Sequence, residues 1–137
     1  MTANLVAWLK ARTIDAAGEL ALPLGWHGDP FNVPAGPHLR GRVFFDSSAP
    51  AGVLGNPYTK VTGRLVLTVA APVGADELAA SLADRLKAFY PRGTAFDFEG
   101  GHGTITTPAM TPPAADGKRC TAMLIINFYA FVADKQE

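Results

Sequence analysis

The sequence predicts an α+β fold, a mostly antiparallel β-sheet with two α-helices packed on one face, in a single domain over residues 1–137. Three observations carry this. Two segments, 4–14 and 76–90, repeat apolar residues at helical spacing. Several others alternate apolar and polar residues with the period of a strand. The order is helix, strands, helix, strands, rather than the regular β-α alternation of a parallel sheet.

The first helix is predicted over 4–14 from Leu5 and Leu9, with Val6 and Trp8 flanking the same side. Thr2 or Asn4 is suited to cap it and Gly18 to end it. Residues 20–26 alternate weakly and read as a short strand; Pro23 places it at an edge, because proline brings no donor to a ladder. Three prolines and two glycines in residues 28–37 forbid regular structure there. Residues 39–46 read as a strand, with Leu39, Val43 and Phe45 on one side and Arg40, Arg42 and Phe44 on the other. A long polar, Gly/Pro-rich loop is predicted over 47–59, a length at which loops are usually functional or disordered.

Residues 60–71 give the clearest amphipathic strand, with Val61, Leu65, Leu67 and Val69 opposed to Thr62, Arg64 and Thr68. The second helix, 76–90, carries Leu78, Leu82, Leu86 and Phe89 as a stripe beside Ala79 and Ala83. Asp76 and Glu77 open it and Arg85 and Lys87 close it, as the helix dipole favours. Short strands at 94–99 and 104–109 flank a turn in Gly100–Gly103, and a second Pro-rich loop is expected over 107–117. Residues 119–132 form the last strand. Ala122, Leu124, Ile126 and Phe128 take one face; Met123, Ile125, Tyr129 and Phe131 take the other, interrupted by Asn127. Both faces are apolar, so both need cover. Two helices cover one. A second sheet layer from the same chain, or a neighbouring subunit, must cover the other.

Charged residues make up only 18% of the chain and apolar residues 48%. That shortage of charge leaves apolar surface for a partner. Twelve basic and twelve acidic residues give no net charge, which disfavours tight electrostatic binding to nucleic acid or an anionic membrane. One cysteine, Cys120, excludes an internal disulfide and a Cys-based zinc cluster. No signal peptide and no membrane span is expected.

No catalytic constellation emerges. His27, His38 and His102 lack metal-ligand spacing. His27 and Asp29 form a possible His–carboxylate pair, but Ser47, Ser48 and Ser81 sit in no nucleophile motif. Asp97 and Glu99 share a strand face without flanks that would separate their pKa values. Gly100–Gly103 lacks the lysine and hydroxyl of a phosphate loop. Arg40, Arg42 and Arg64 are placed to form a basic stripe on the outer side of the sheet, solvated or bridging to another subunit.

At residues 30–40, PFNVPAGPHLR, the chain resembles the tail terminator proteins of long-tailed bacteriophages and phage-like gene transfer particles. The likeness continues through a variable Gly/Pro loop, the strand TGRLVLTVAAPVG at 62–74, the helix LAASLADRL at 78–86 and the long apolar last strand. It covers nearly the whole chain in order. The resemblance implies a homohexameric ring that caps the tail tube, ends its polymerisation and forms the tail side of the head–tail joint. It implies, as partners, other copies of the chain, the tail tube protein and a head-side connector or adaptor. DNA enters only as cargo passing through the lumen, and no membrane is involved. It implies a place at the head-proximal end of the virion tail, reached from the host cytoplasm, with no enzyme activity and no cofactor, metal or catalytic residue. On that reading Leu54, Tyr58, Met123, Ile125, Tyr129 and Phe131 are the expected subunit interface. Two alternatives stay open: another connector or adaptor of the same particle, and a small ligand-binding or catalytic α+β domain using His27 and Asp29.

Overall fold

The computed structural model describes residues 2–53 and 56–133. The elements are α1 (Thr2–Glu19), β1 (Leu24–Trp26), β2 (His38–Val53), β3 (Asn56–Pro72), α2 (Asp76–Lys87), β4 (Ala95–Phe98), β5 (Gly101–Met110), β6 (Ala114–Asp116) and β7 (Arg119–Ala133). One sheet runs in the order β1-β2-β3-β7-β5-β4, with β6 also paired to β7. Every pairing is antiparallel except β1 with β2. The fold is α+β, as predicted. β7 is central, with β3 along one side and β5 and β6 along the other.

The core lies between the helices and one face of the sheet. Leu5 and Leu9 of α1 and Ala79, Leu82, Ala83 and Leu86 of α2 meet Leu39, Leu65, Leu67, Val69, Leu124, Ile126 and Phe128. Trp8 stacks on Phe96, with ring centroids 4.0 Å apart, which fixes α1 over β4. Leu78 is 41% exposed and lies outside the buried stripe, which runs through Ala79, Leu82, Ala83, Leu86 and Tyr90. The predicted stripe was therefore centred too far round the helix. α2 also stops earlier than predicted. Amide bonds from Phe89 to Leu86 and from Tyr90 to Lys87 tighten its end into a turn.

α1 runs past Gly18, because Ala16 and Ala17 are buried and keep the helix on the sheet. Its end is a Schellman motif: the Leu22 amide donates to the Ala17 carbonyl and the Ala21 amide to the Gly18 carbonyl. The left-handed position falls on Ala21, at φ 54°. Ala21→Gly is therefore expected to stabilise the chain by about 1 kcal/mol, measured as a raised urea midpoint at unchanged m-value.

Tyr90 ties the helices together. Its hydroxyl is hydrogen-bonded to that of Thr13, which itself donates to the Leu9 carbonyl, so the tyrosine is the donor between them. The Arg12 Nε also donates to the Phe89 carbonyl at 2.8 Å. Burial pushes the Tyr90 pKa up to about 12, against the opposing charge of Arg12. The folded state thus holds this proton more tightly than the unfolded chain, whose tyrosine titrates near pH 10. The contribution is complete below pH 10 and is lost as pH rises through 12, roughly 2–3 kcal/mol in all. Tyr90→Phe is expected to cost about 1 kcal/mol at neutral pH and to flatten the stability curve between pH 10 and 12, as read by urea unfolding across that range.

Two predicted loops are strands. Residues 47–53 and 56–59 pair as the outer half of β2 and β3, from Ser47↔Thr62 to Val53↔Asn56, after a bulge between Phe45 and Ser47. β1 accompanies β2 only as far as Gly41, so Pro50 lies on an edge strand that tolerates its missing donor. Likewise 107–117 contains the end of β5 and all of β6, with a register shift between Ile105 and Pro108. The β4–β5 turn consists of Glu99 and Gly100, with Gly100 at φ 95°. Glu99 is therefore a turn residue, off the strand face it was expected to share with Asp97.

Candidate interaction face

Both helices lie on one side of the sheet, and the register determines what faces the other. β2 presents Arg40, Arg42 and Phe44; β3 presents Tyr58, Lys60, Thr62, Arg64, Val66 and Thr68. β7 presents Met123, Ile125, Asn127, Tyr129 and Phe131 opposite them, and β5 adds His102 and Thr104. Along β7 burial alternates without a break: residues 120 to 132 at even positions are buried, and the odd positions are partly exposed. Among the described residues no strand or helix forms a second layer on this open face. Of the two covers considered for Met123, Ile125, Tyr129 and Phe131, a second sheet from the same chain is thereby removed.

The chain does cover one corner. Residues 27–37 cross the open face beside β1, where the ring of Phe31 sits 2.4 Å from where a Cβ on Gly25 would stand. Phe31 also lies 5.9 Å from the buried His38, whose Nδ1 contacts the Gly36 carbonyl at 3.1 Å. The rest is a lattice of cations over rings. The Arg40 guanidinium lies 5.0 Å from Phe31; Arg42 and Arg64 lie 4.3 and 5.0 Å from Phe44. The Lys60 Nζ lies 5.2 Å from Tyr129, and Phe131 stacks at a tilt 5.4 Å from His102, which meets Tyr58 at 6.1 Å.

The predicted interface residues Tyr58, Met123, Ile125, Tyr129 and Phe131 thus share one face. Leu54 lies outside the described residues. The three arginines stand on adjacent strands of the same face. Sequence reading missed Phe31 and the pairing of the cations with the rings. Phe31, Tyr58 and the β7 pair Tyr129 and Phe131 come from separate segments of the chain, and only the fold brings them together with Arg40, Arg42, Lys60 and Arg64.

The histidines do not converge. His27 follows β1, His38 is buried under Phe31, and His102 is on β5. Among the described residues no group of three or more His, Cys, Asp or Glu side chains is placed to hold a metal. Asp29 caps a turn, its amide donating to the Trp26 carbonyl. Cys120 is buried on the helix side, and its pKa is raised by burial and by the neighbouring Asp76. No described helix is long and apolar enough to cross a membrane.

A central strand with one covered face and one open aromatic-cationic face defines a protein built around a contact surface. The sequence matches the model of the phage tail terminator protein family over residues 4–128, and the chain belongs to that family. It is therefore a structural protein of the phage tail that associates with other tail and head components. No curated protein sequence matches it. A solved structure shares the fold, with a TM-score of 0.74 and 22% identity over 100% of this chain and 99% of the other.

Proposed function

We propose that the chain caps the tail tube as a homohexameric ring, ends tube polymerisation and forms the tail side of the head–tail joint. The observation that carries this is the open face of β7. Met123, Ile125, Tyr129 and Phe131 are partly exposed on a strand whose backbone is paired on both sides, so what the face lacks is a layer, not a ladder. A neighbouring copy supplies that layer in a closed assembly. The interface comprises Tyr58, Met123, Ile125, Tyr129 and Phe131, and the partners are the tail tube protein and a head-side connector. On this reading the protein has no catalytic role, and DNA only passes through the lumen.

The test is to add the purified protein to polymerising tail tube protein and image the products. Rings alone and one capped end per tube, with shortened tubes, are the expected result. A chain that stays monomeric and leaves tube length unchanged would contradict the proposal. Label found at the portal, away from the tube end, would instead identify an adaptor subunit.

A further inference from the structure

The chain carries no net charge, yet its charge is unevenly spread. Arg40, Arg42, Lys60 and Arg64 all stand on the open face. Only one ion pair forms among the described residues, between the Arg64 Nε and the Asp46 Oδ1 at 3.3 Å. Arg40 and Arg42 lie against rings and, among the described residues, form no ion pair. Together with His27, Phe44, Val66 and Thr68 they line a pocket of about 300 Å³. The Arg40 Nε is buried and has no hydrogen-bond partner among the described residues. A guanidinium held by a ring, with a buried donor unused, lacks an acceptor that a carboxylate supplies.

The complementary surface is on the other side of the same chain. α2 begins with Asp76 and Glu77, both exposed and, among the described residues, neither in an ion pair; Asp76 also neighbours the Cys120 thiol. Beside them Val73 is 58% and Leu78 41% exposed, two of five large apolar side chains that stand out from the surface among the described residues. The helix dipole accounts for acids in a first turn; it does not account for the apolar pair around them. α2 covers the closed face of the sheet, so this acidic, apolar corner and the arginine pocket look in opposite directions.

We propose that the arginine pocket of one copy receives the Val73–Leu78 corner of the next, the carboxylates meeting Arg40 and Arg42 while Val73 and Leu78 cover Val66 and the rings. Head-to-tail contacts require two different, complementary patches on one chain, and these are such a pair. The inference rests on the ring reading above and adds which surfaces meet. Duplex DNA is the competing occupant of a basic stripe. It is disfavoured by Val66, Met123 and Ile125 interspersed among the cations and by the absence of any net positive charge.

The test is a charge swap in the full-length chain, read by native mass with folding checked by circular dichroism. Arg40→Glu with Arg42→Glu, and separately Glu77→Arg, are each expected to weaken assembly by about tenfold or more. Combining Arg42→Glu with Glu77→Arg is expected to recover part of it, which a merely structural role for either residue would not produce. Wild-type rings that persist unchanged in all single-patch variants would overturn this contact and leave the ring reading intact. So would rings that persist while binding of duplex DNA is lost. A wild-type chain that never rings would overturn the ring reading itself, and this contact with it.

Discussion

Phe131→Asp is expected to abolish self-assembly while leaving a folded monomer. Phe131 stands on the open face among His102, Tyr129 and Lys60. Removing a central aromatic anchor from a protein contact typically costs about 2–4 kcal/mol, and a buried aspartate adds its own desolvation. Each contact should therefore weaken by roughly 30-fold to 1000-fold, and a closed ring needs all of its contacts at once. The monomer should lose little, about 1 kcal/mol or less, because Lys60 lies directly opposite on β3 and offers the new carboxylate a cross-strand partner. Tyr129→Asp, two residues back on the same face, should behave alike. Sedimentation velocity with a parallel thermal melt separates the two effects. A variant that assembles as well as wild type would take β7 out of the interface.

The second large effect concerns folding. Gly63 pairs with Phe45 beside the β2 bulge, at a point where strands cross closely. A Cβ there would lie 2.4 Å from the Phe44 carbonyl oxygen and 2.8 Å from the Phe128 ring. The first contact is with backbone and cannot be relieved by turning a side chain. Strand propensity alone favours Gly63→Val, because β-branched residues suit a pleated surface. The close approach reverses that sign, and a loss on the order of 3 kcal/mol or more is expected, out of a total stability of about 5–15 kcal/mol for an ordinary domain. Gly36→Ala, where a Cβ meets nothing within 4 Å, should change stability by less than about 0.5 kcal/mol. Urea unfolding of the two variants checks both sign and contrast.

What was legible in the sequence follows from where burial leaves a pattern. β3 and β7 each bury one face under helices, so their alternation fixes both strand and facing; Val61, Leu65, Leu67 and Val69 are all buried as read. The described β2 side chains beyond the bulge show no alternation: Ser47, Ser48, Ala49 and Pro50 are all exposed. A ribbon of that kind has no alternation to show, and its Gly/Pro content mimics a loop. The end of α1 was misplaced for the opposite reason. Gly18 is the obvious stop, but burial of Ala16, Ala17 and Leu22 carries the helix past it and puts the left-handed turn on Ala21. The same reasoning applies to the candidate face. Its apolar residues on β7 were visible because they violate the one-face rule for a half-covered strand. The arginine pocket was not, since it draws His27, Arg40, Arg42, Phe44, Val66 and Thr68 from three separate segments.

Hydroxyl-radical footprinting of the open face, in the free chain and in the assembled state, measures most directly whether identical copies cover it. Met123, Tyr129 and Phe131 should react readily in the monomer and become protected on assembly, while residues exposed elsewhere, such as Ile14, keep their reactivity. Equal labelling of Met123, Tyr129 and Phe131 in both states would show that assembly, if it occurs, uses another surface.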